Sequence, residues 1–177
     1  MYRQEEVAEN RELEEHLRKY LFGPDEIQGG IGQTEYMYNN IWKFAVLHQP
    51  PYTSDSDDYG DTYLSTSTRG DTNVQNIISL LEKYGVDICF SGHVHDYERT
   101  FPILEGEVTP MDQGGVMYVT TAGGGGHLEH FDPTNTWFGH KKANYHHLVY
   151  VAIHGNRLEF QAIDEHGRLF DVMTINK

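Results

Sequence analysis

Two short apolar runs on either side of a helical pattern constrain this chain more than any other feature. The first, "IWKFAVLH" (Ile41–His48), ends abruptly at "QPPY". Prolines have no N–H to give a ladder, so the chain must leave the sheet there. The second run, "VDICFS", begins at Val86. Between them, "DTNVQNIISLLEKYG" has the marks of a helix: Asp71 or Thr72 to cap it, a stripe of Val74, Ile77, Ile78 and Leu81, and Gly85 to end it. Strand, helix, strand is a βαβ unit, so Lys43–Leu47 and Val86–Phe90 are expected to run parallel across a right-handed crossover. The last third changes period. "GVMYVTTAGGGG", "HLVYVAIHGNRLEFQAID" and "EHGRLFDVMTINK" read as strands, with tight turns at "HGNR" and "EHG". The expected class is α/β with α+β character: one βαβ unit followed by an antiparallel meander.

That topology says where a site would lie. Parallel strands deliver their carboxyl ends to one rim, where ligands bind. His48 ends the first strand, and His93 and His95 follow the second in "FSGHVHDYERTFP". Histidines at i and i+2 on a turn, with Gly92 allowing close approach, can each offer a nitrogen to a metal. They need not serve the same ion, since two ions roughly 3.5–4 Å apart is the spacing of two-metal hydrolases. A bland reading stands beside this one: two histidines on a polar loop, or a packed pair. Imidazole suits Zn, Fe, Mn and Co alike, so ligand type leaves the metal open.

Composition narrows the rest. Eleven histidines and a single cysteine, Cys89, mean that metal chemistry here leans on imidazole and carboxylate. Cys89 itself, inside "VDICF", reads as a small buried hydrophobe. Against 27 Asp and Glu there are only 13 Lys and Arg, a net charge of −14, which leaves no basic footprint for nucleic acid. No run of about eighteen apolar residues is present to span a membrane, and the polar start "MYRQEEVAEN" is not a signal peptide. "EEVAENRELEEHLRKYLFGP" reads as an amphipathic helix with Val7, Leu13, Leu17, Tyr20 and Leu21 on one face, and a glycine-rich loop follows it. Residues 1–40 are thus set apart as an N-terminal helix and loop, and 41–177 as the main domain.

"WKFAVLHQPPYTSD" together with "VDICFSGHVHDYERTFP" resembles the second half of a calcineurin-like metallophosphoesterase, on the purple acid phosphatase side of that superfamily. "GVMYVTTAGGGG" and "YHHLVYVAIHGNRLEFQAIDEHGRLFD" continue the resemblance, which runs from about Trp42 to Asn176. It implies part of a four-layer αββα sandwich holding two metal ions (Fe, Zn or Mn) and hydrolysing phosphate esters. An activated hydroxide would attack phosphorus, most simply in a phosphomonoester. By the same resemblance His48 and His93 would bind the second metal and His95 the first. Pro50, Tyr52, Gly124 and Gly125 would border the substrate pocket. Gly92, Asp96, Tyr97, Glu98 and Arg99 would support the ligands, with a buried Glu98–Arg99 pair fixing the turn. Members of this branch are often secreted or periplasmic.

Three upstream blocks of the family pattern supply an Asp, a bridging Asp with a Tyr, and an Asn followed by a His. None has a match in Met1–Trp42; Gly60-Asp61 and Gly70-Asp71 imitate the second only locally, after His48. The chain therefore reads as the C-terminal portion of a longer phosphoesterase, incomplete alone, with the upstream part or a second copy as its partner. Two other readings remain: a non-catalytic metal-binding or scaffold domain, and a phosphodiesterase or nucleotidase. The acidic loop "DSDDYGDTYLST" imitates a calcium loop but has Thr66 where a bidentate Glu belongs, so a solvated loop is preferred. His146 and His147, before a strand, are the open candidates for a catalytic role, although a structural one is favoured. His127, His130 and His140, near Trp137 and Phe138, suggest a lid over the pocket.

Overall fold

β1 (Phe44–Leu47) lies parallel to β2 (Ile88–Ser91), with Leu47 level with Ser91, so both strands end at one height. The computed structural model describes residues 42–55, 72–130 and 136–177. What was expected of residues 1–40, of the loop 56–71 with its imitation calcium and Gly-Asp motifs, and of Asp71 as a cap lies outside the described residues. The described elements fall in the unit Phe44–Lys177.

The connection carries two short helices rather than the single one expected, α1 (Thr72–Gln75) and α2 (Ile78–Lys83). At the junction the backbone tightens to i→i+3 bonds: Ile77 N–H donates to Val74 C=O at 3.1 Å and Leu80 N–H to Ile77 C=O at 3.0 Å. Asn76, a poor helix former, sits at the break. The stop at Gly85 is as expected. Gly85 has φ +61°, its N–H reaches Glu82 C=O at 3.0 Å, and Val86 N–H reaches Leu81 C=O at 2.9 Å. Those two bonds form a Schellman close. Leu80 and Leu81 are the residues α2 buries.

β2 is followed by β3 (Tyr97–Thr100), the small hairpin β4 (Ile103–Leu104) and β5 (Glu107–Val108), then β6 (Met117–Thr121) and β7 (Gly139–Ala143). The main sheet runs β1-β2-β6-β3-β7, and its β6 is parallel to β2 while β3 is antiparallel to β6 and β7. This corrects the expected meander. "MYVTT" belongs to the central parallel part, and Met117 to Thr120 are all buried, as a strand covered on both faces must be. Only β8 (His147–His154), β9 (Arg157–Asp164) and β10 (Leu169–Asn176) form an antiparallel meander, a separate three-stranded sheet.

The core gathers Tyr52, Leu81, Val86, Cys89, Ile103, Val116, Tyr118 and Phe138. Cys89 is buried, and that burial pushes its thiol up to about 12, consistent with an inert packing role. The two sheets are clasped through β3 and β10. Arg99 donates from Nε and Nη2 to the two oxygens of Asp171 at 2.7 and 2.9 Å, and Tyr97 O–H donates to the same carboxylate at 2.6 Å. Arg99 therefore pairs with Asp171 and not with Glu98. Neighbours on a strand point to opposite faces, so the expected Glu98–Arg99 pair is geometrically excluded.

Candidate metal centre

His48 leaves the end of β1, and its carbonyl accepts the N–H of Gly92 at 3.0 Å just past β2. This bond continues the parallel ladder by one step and brings the two histidine segments side by side. His48 Nε2 then faces His93 Nδ1 at 3.0 Å, the rings edge to face with centroids 4.9 Å apart. Without a cation, one of these two nitrogens carries the proton that the other accepts.

The backbone that aims them is unusual. Val94 N–H donates to Gly92 C=O at 2.9 Å and Asp96 N–H to Val94 C=O at 2.8 Å. These are successive three-residue turns, with His93 and His95 at their apices. His93 has φ +70°, which makes the first turn the rarer, strained form. Val94, between them, is fully buried and anchors the pair.

His95 is held differently. Its Nδ1 lies 2.9 Å from the carbonyl oxygen of His127, and its backbone N–H donates to Glu129 at 2.7 Å. Gly126 packs against the ring so closely that an added Cβ would fall 2.7 Å from it. Nothing in the residue pattern marks Gly126, His127 and Glu129 as a unit, because they meet His95 only through the turn after β6.

Behind the histidines lies a buried acidic group. Glu98 Oε2 accepts the N–H of Ser54 at 2.7 Å and the hydroxyl of Thr53 at 3.3 Å, tying the chain after His48 to β3. Burial is the main force raising the Glu98 pKa, and those hydrogen bonds with Lys142 oppose it. Asp96 is fully buried and neither of its oxygens has a hydrogen-bond partner. Burial first, then the charges of Glu98, Asp55 and Glu129, push it up to about 9. Burial thus biases Asp96 toward its protonated form.

Of the remaining expected residues, Pro50 and Tyr52 are buried. The Tyr52 ring packs on Tyr118, Phe138 and Trp137, with centroids 4.8, 5.3 and 6.2 Å away, which puts it in the core. Gly124 and Gly125 are exposed, on the rim of a cleft of about 340 Å³ bordered by His146, His147, Leu148 and the Asp164–Glu165 turn. His147 Nε2 meets the Thr121 hydroxyl at 3.0 Å, and its Nδ1 meets Tyr145 C=O at 2.7 Å. His146 Nδ1 meets Gly123 C=O at 3.2 Å. Each is occupied in holding the turn. His140 stacks edge-on against Phe101, 4.7 Å between centroids.

A family model described as calcineurin-like phosphoesterase matches residues 10–97. A nucleotide pyrophosphatase/phosphodiesterase of Hordeum vulgare is 26% identical over 145 residues, covering 77% of this chain and 39% of that protein. Probable inactive purple acid phosphatase 24 of Arabidopsis thaliana is 34% identical over 97 residues, covering 51% of this chain and 15% of that protein. The structure of purple acid phosphatase PPD1 from yellow lupin (Lupinus luteus) superposes with a TM-score of 0.67 at 26% identity, over 84% of this chain and 29% of that one. The chain belongs to the calcineurin-like phosphoesterase superfamily, whose family-level activity is hydrolysis of phosphoesters. Within it, the chain falls in the purple acid phosphatase-like branch, and its mixed sheet is the α/β fold of that branch. It spans two fifths or less of the length of each of these relatives.

Proposed function

We propose that these residues form the histidine side of a metal-dependent phosphomonoesterase site of the acid phosphatase kind. The observation that carries this reading is the facing of His48 Nε2 and His93 Nδ1 at 3.0 Å from the ends of two parallel strands. That pair places two imidazole nitrogens close enough to share one cation once the proton between them is lost. His95 would hold a second ion through Nε2. Iron, zinc and manganese all suit such donors. Ions held here would polarise the phosphoryl oxygens and make water acidic enough to act as nucleophile.

The chain's own contribution is to bind and orient. Gly92 fixes the His48 backbone, the strained turn fixes His93, and Glu98 fixes the segment beyond His48. Among the described residues no group of three or more His, Cys, Asp or Glu gathers for a metal ion. Two adjacent cations repel strongly, and carboxylates must offset that repulsion. By the resemblance to the family pattern, whose Asp-bearing blocks lie before the His48 segment, we take those groups to come from an upstream part of the same protein or from a partner.

A non-catalytic metal-binding domain is the second reading, favoured by a relative that carries the name "probable inactive". A phosphodiesterase is the third, favoured by the barley relative. The test is to load the protein with Zn²⁺ or Mn²⁺, desalt it and count bound ions, then assay p-nitrophenyl phosphate beside its bis ester. Binding that His48→Ala and His93→Ala each remove, with monoester turnover once the chain is joined to the upstream part that supplies the carboxylates, is the expected result. Binding without turnover in that joined protein means the second reading, and preference for the diester means the third. Binding unchanged in both variants sinks all three.

A further inference from the structure

We infer that Glu129 is a positioning residue, and that with Gly126 and His127 it locks the imidazole of His95 in the tautomer that leaves Nε2 open. The inference rests on the reading of His95 as a metal ligand, and it concerns residues that reading does not use.

The chemistry of the partner decides the tautomer. A carbonyl oxygen can only accept, so the 2.9 Å contact between His95 Nδ1 and His127 C=O requires the proton to sit on Nδ1. The lone pair is then on Nε2. Neutral histidine free in water prefers the opposite arrangement, so the carbonyl must be held in place for the preference to invert. Glu129 does that holding. Its carboxylate takes the His95 N–H at 2.7 Å, and its own N–H returns a bond to His95 C=O at 3.1 Å. These reciprocal bonds fix residue 129 against residue 95 and so set where the carbonyl two residues earlier lies.

Two further contacts act in the same direction. Glu129 Oε1 stands 3.9 Å from His95 Nδ1, which favours a proton on that nitrogen. Gly126 closes the other side, since any side chain there would occupy the space of the ring. A ligand histidine oriented through its second nitrogen is a general feature of metal sites, and loss of the orienting group typically costs about 10–100-fold in affinity. Here the orienting acceptor is a backbone carbonyl that no substitution can delete. The carboxylate that places it is the point at which the device can be broken.

Nitrogen-15 NMR of the metal-free protein reads the tautomer directly. The expected result is an Nδ1–H signature for His95 in the wild type, lost to a mixture in Glu129→Ala and retained in Glu129→Gln, whose amide oxygen still accepts the N–H. Titration with Zn²⁺, followed at the His95 Nε2 resonance, should need about tenfold more metal in Glu129→Ala than in the wild type. Should Glu129→Ala fail to fold, Gly126→Ala displaces the ring while leaving Glu129 intact, and the same loss is expected. An Nε2–H signature in the wild type, or a tautomer and Zn²⁺ response unchanged in the variants, overturns the inference. A wild-type His95 with the Nδ1–H signature and no response to Zn²⁺ would count against the metal-site reading alone, because the tautomer decides this one.

Discussion

His93 sits at the apex of a tight turn with φ +70°, a region that costs an L-residue roughly 1–2 kcal/mol because Cβ crowds the following carbonyl. Glycine carries no such cost, and yet the position holds histidine. Strain of this kind persists where the surroundings over-determine it, commonly at functional sites. The two substitutions that remove the imidazole should therefore differ. His93→Gly should be more stable than His93→Ala by about 1 kcal/mol in chemical denaturation, while both lose the imidazole that faces His48. Equal stabilities, or alanine ahead, would show that the backbone strain is absent. The H-x-H spacing and its place after a strand were legible in the sequence, since both follow from hydrophobic pattern. The conformation of His93 was not, because nothing in the residue type announces a positive φ. Gly126 and Glu129 were equally hidden, since their contact with His95 is made across 31 to 34 residues by a turn whose path depends on the whole sheet.

At the scale of elements, β3 shows why charged strands are hard to read. "YERT" alternates nothing hydrophobic with nothing polar, and all four residues are buried. Its charged side chains are held from two different directions, Glu98 Oε2 by the segment after β1 and Arg99 by β10. By contrast the strands of the βαβ unit and the Gly85 stop were legible, since each depends on local chemistry alone. The Arg99–Asp171 clasp gives a test with a definite sign. Burial raises the Asp171 pKa, but the hydrogen bonds from Arg99 and Tyr97 outweigh it, and the net shift is downward. A depressed carboxyl stabilises the fold above its unfolded pKa of about 3.9, and that contribution fades as pH falls through the folded value. Asp171→Asn leaves a buried guanidinium uncompensated and should cost about 3–5 kcal/mol at pH 7. Denaturation midpoints followed from pH 7 to about pH 2 should converge between wild type and variant. Curves that stay parallel in acid would mean that the ion pair contributes nothing to the joining of the sheets.

The molecule as a whole presents more apolar surface than its described parts cover. On the outer face of the three-stranded sheet, Tyr150 and Val172 flank Gln161, and Leu148 and Leu169 flank Ile163. All four flanking side chains are more than half exposed, the least at 55%. Among the described residues β1 is an edge strand of the main sheet, and Val46 on it is 78% exposed. Exposed apolar rows and a strand edge left unpaired among the described residues are the features through which sheets associate. The relatives, each more than twice as long, have chain in addition to the part matched here. We expect the polypeptide studied alone to use these surfaces for self-association. Sedimentation should then show larger species growing with concentration in the micromolar range. Replacing Tyr150 and Val172 by threonine removes apolar area, keeps strand propensity and leaves the charge of −14 untouched. That double variant should sediment as a monomer, with its denaturation midpoint moved by no more than about 1 kcal/mol, as for most surface changes. Association that survives in the variant would move the contact to the β1 edge, where Val46→Lys should then abolish it by placing a charge on the open strand. A wild type that stays monomeric throughout would mean that these rows of side chains need no cover at all.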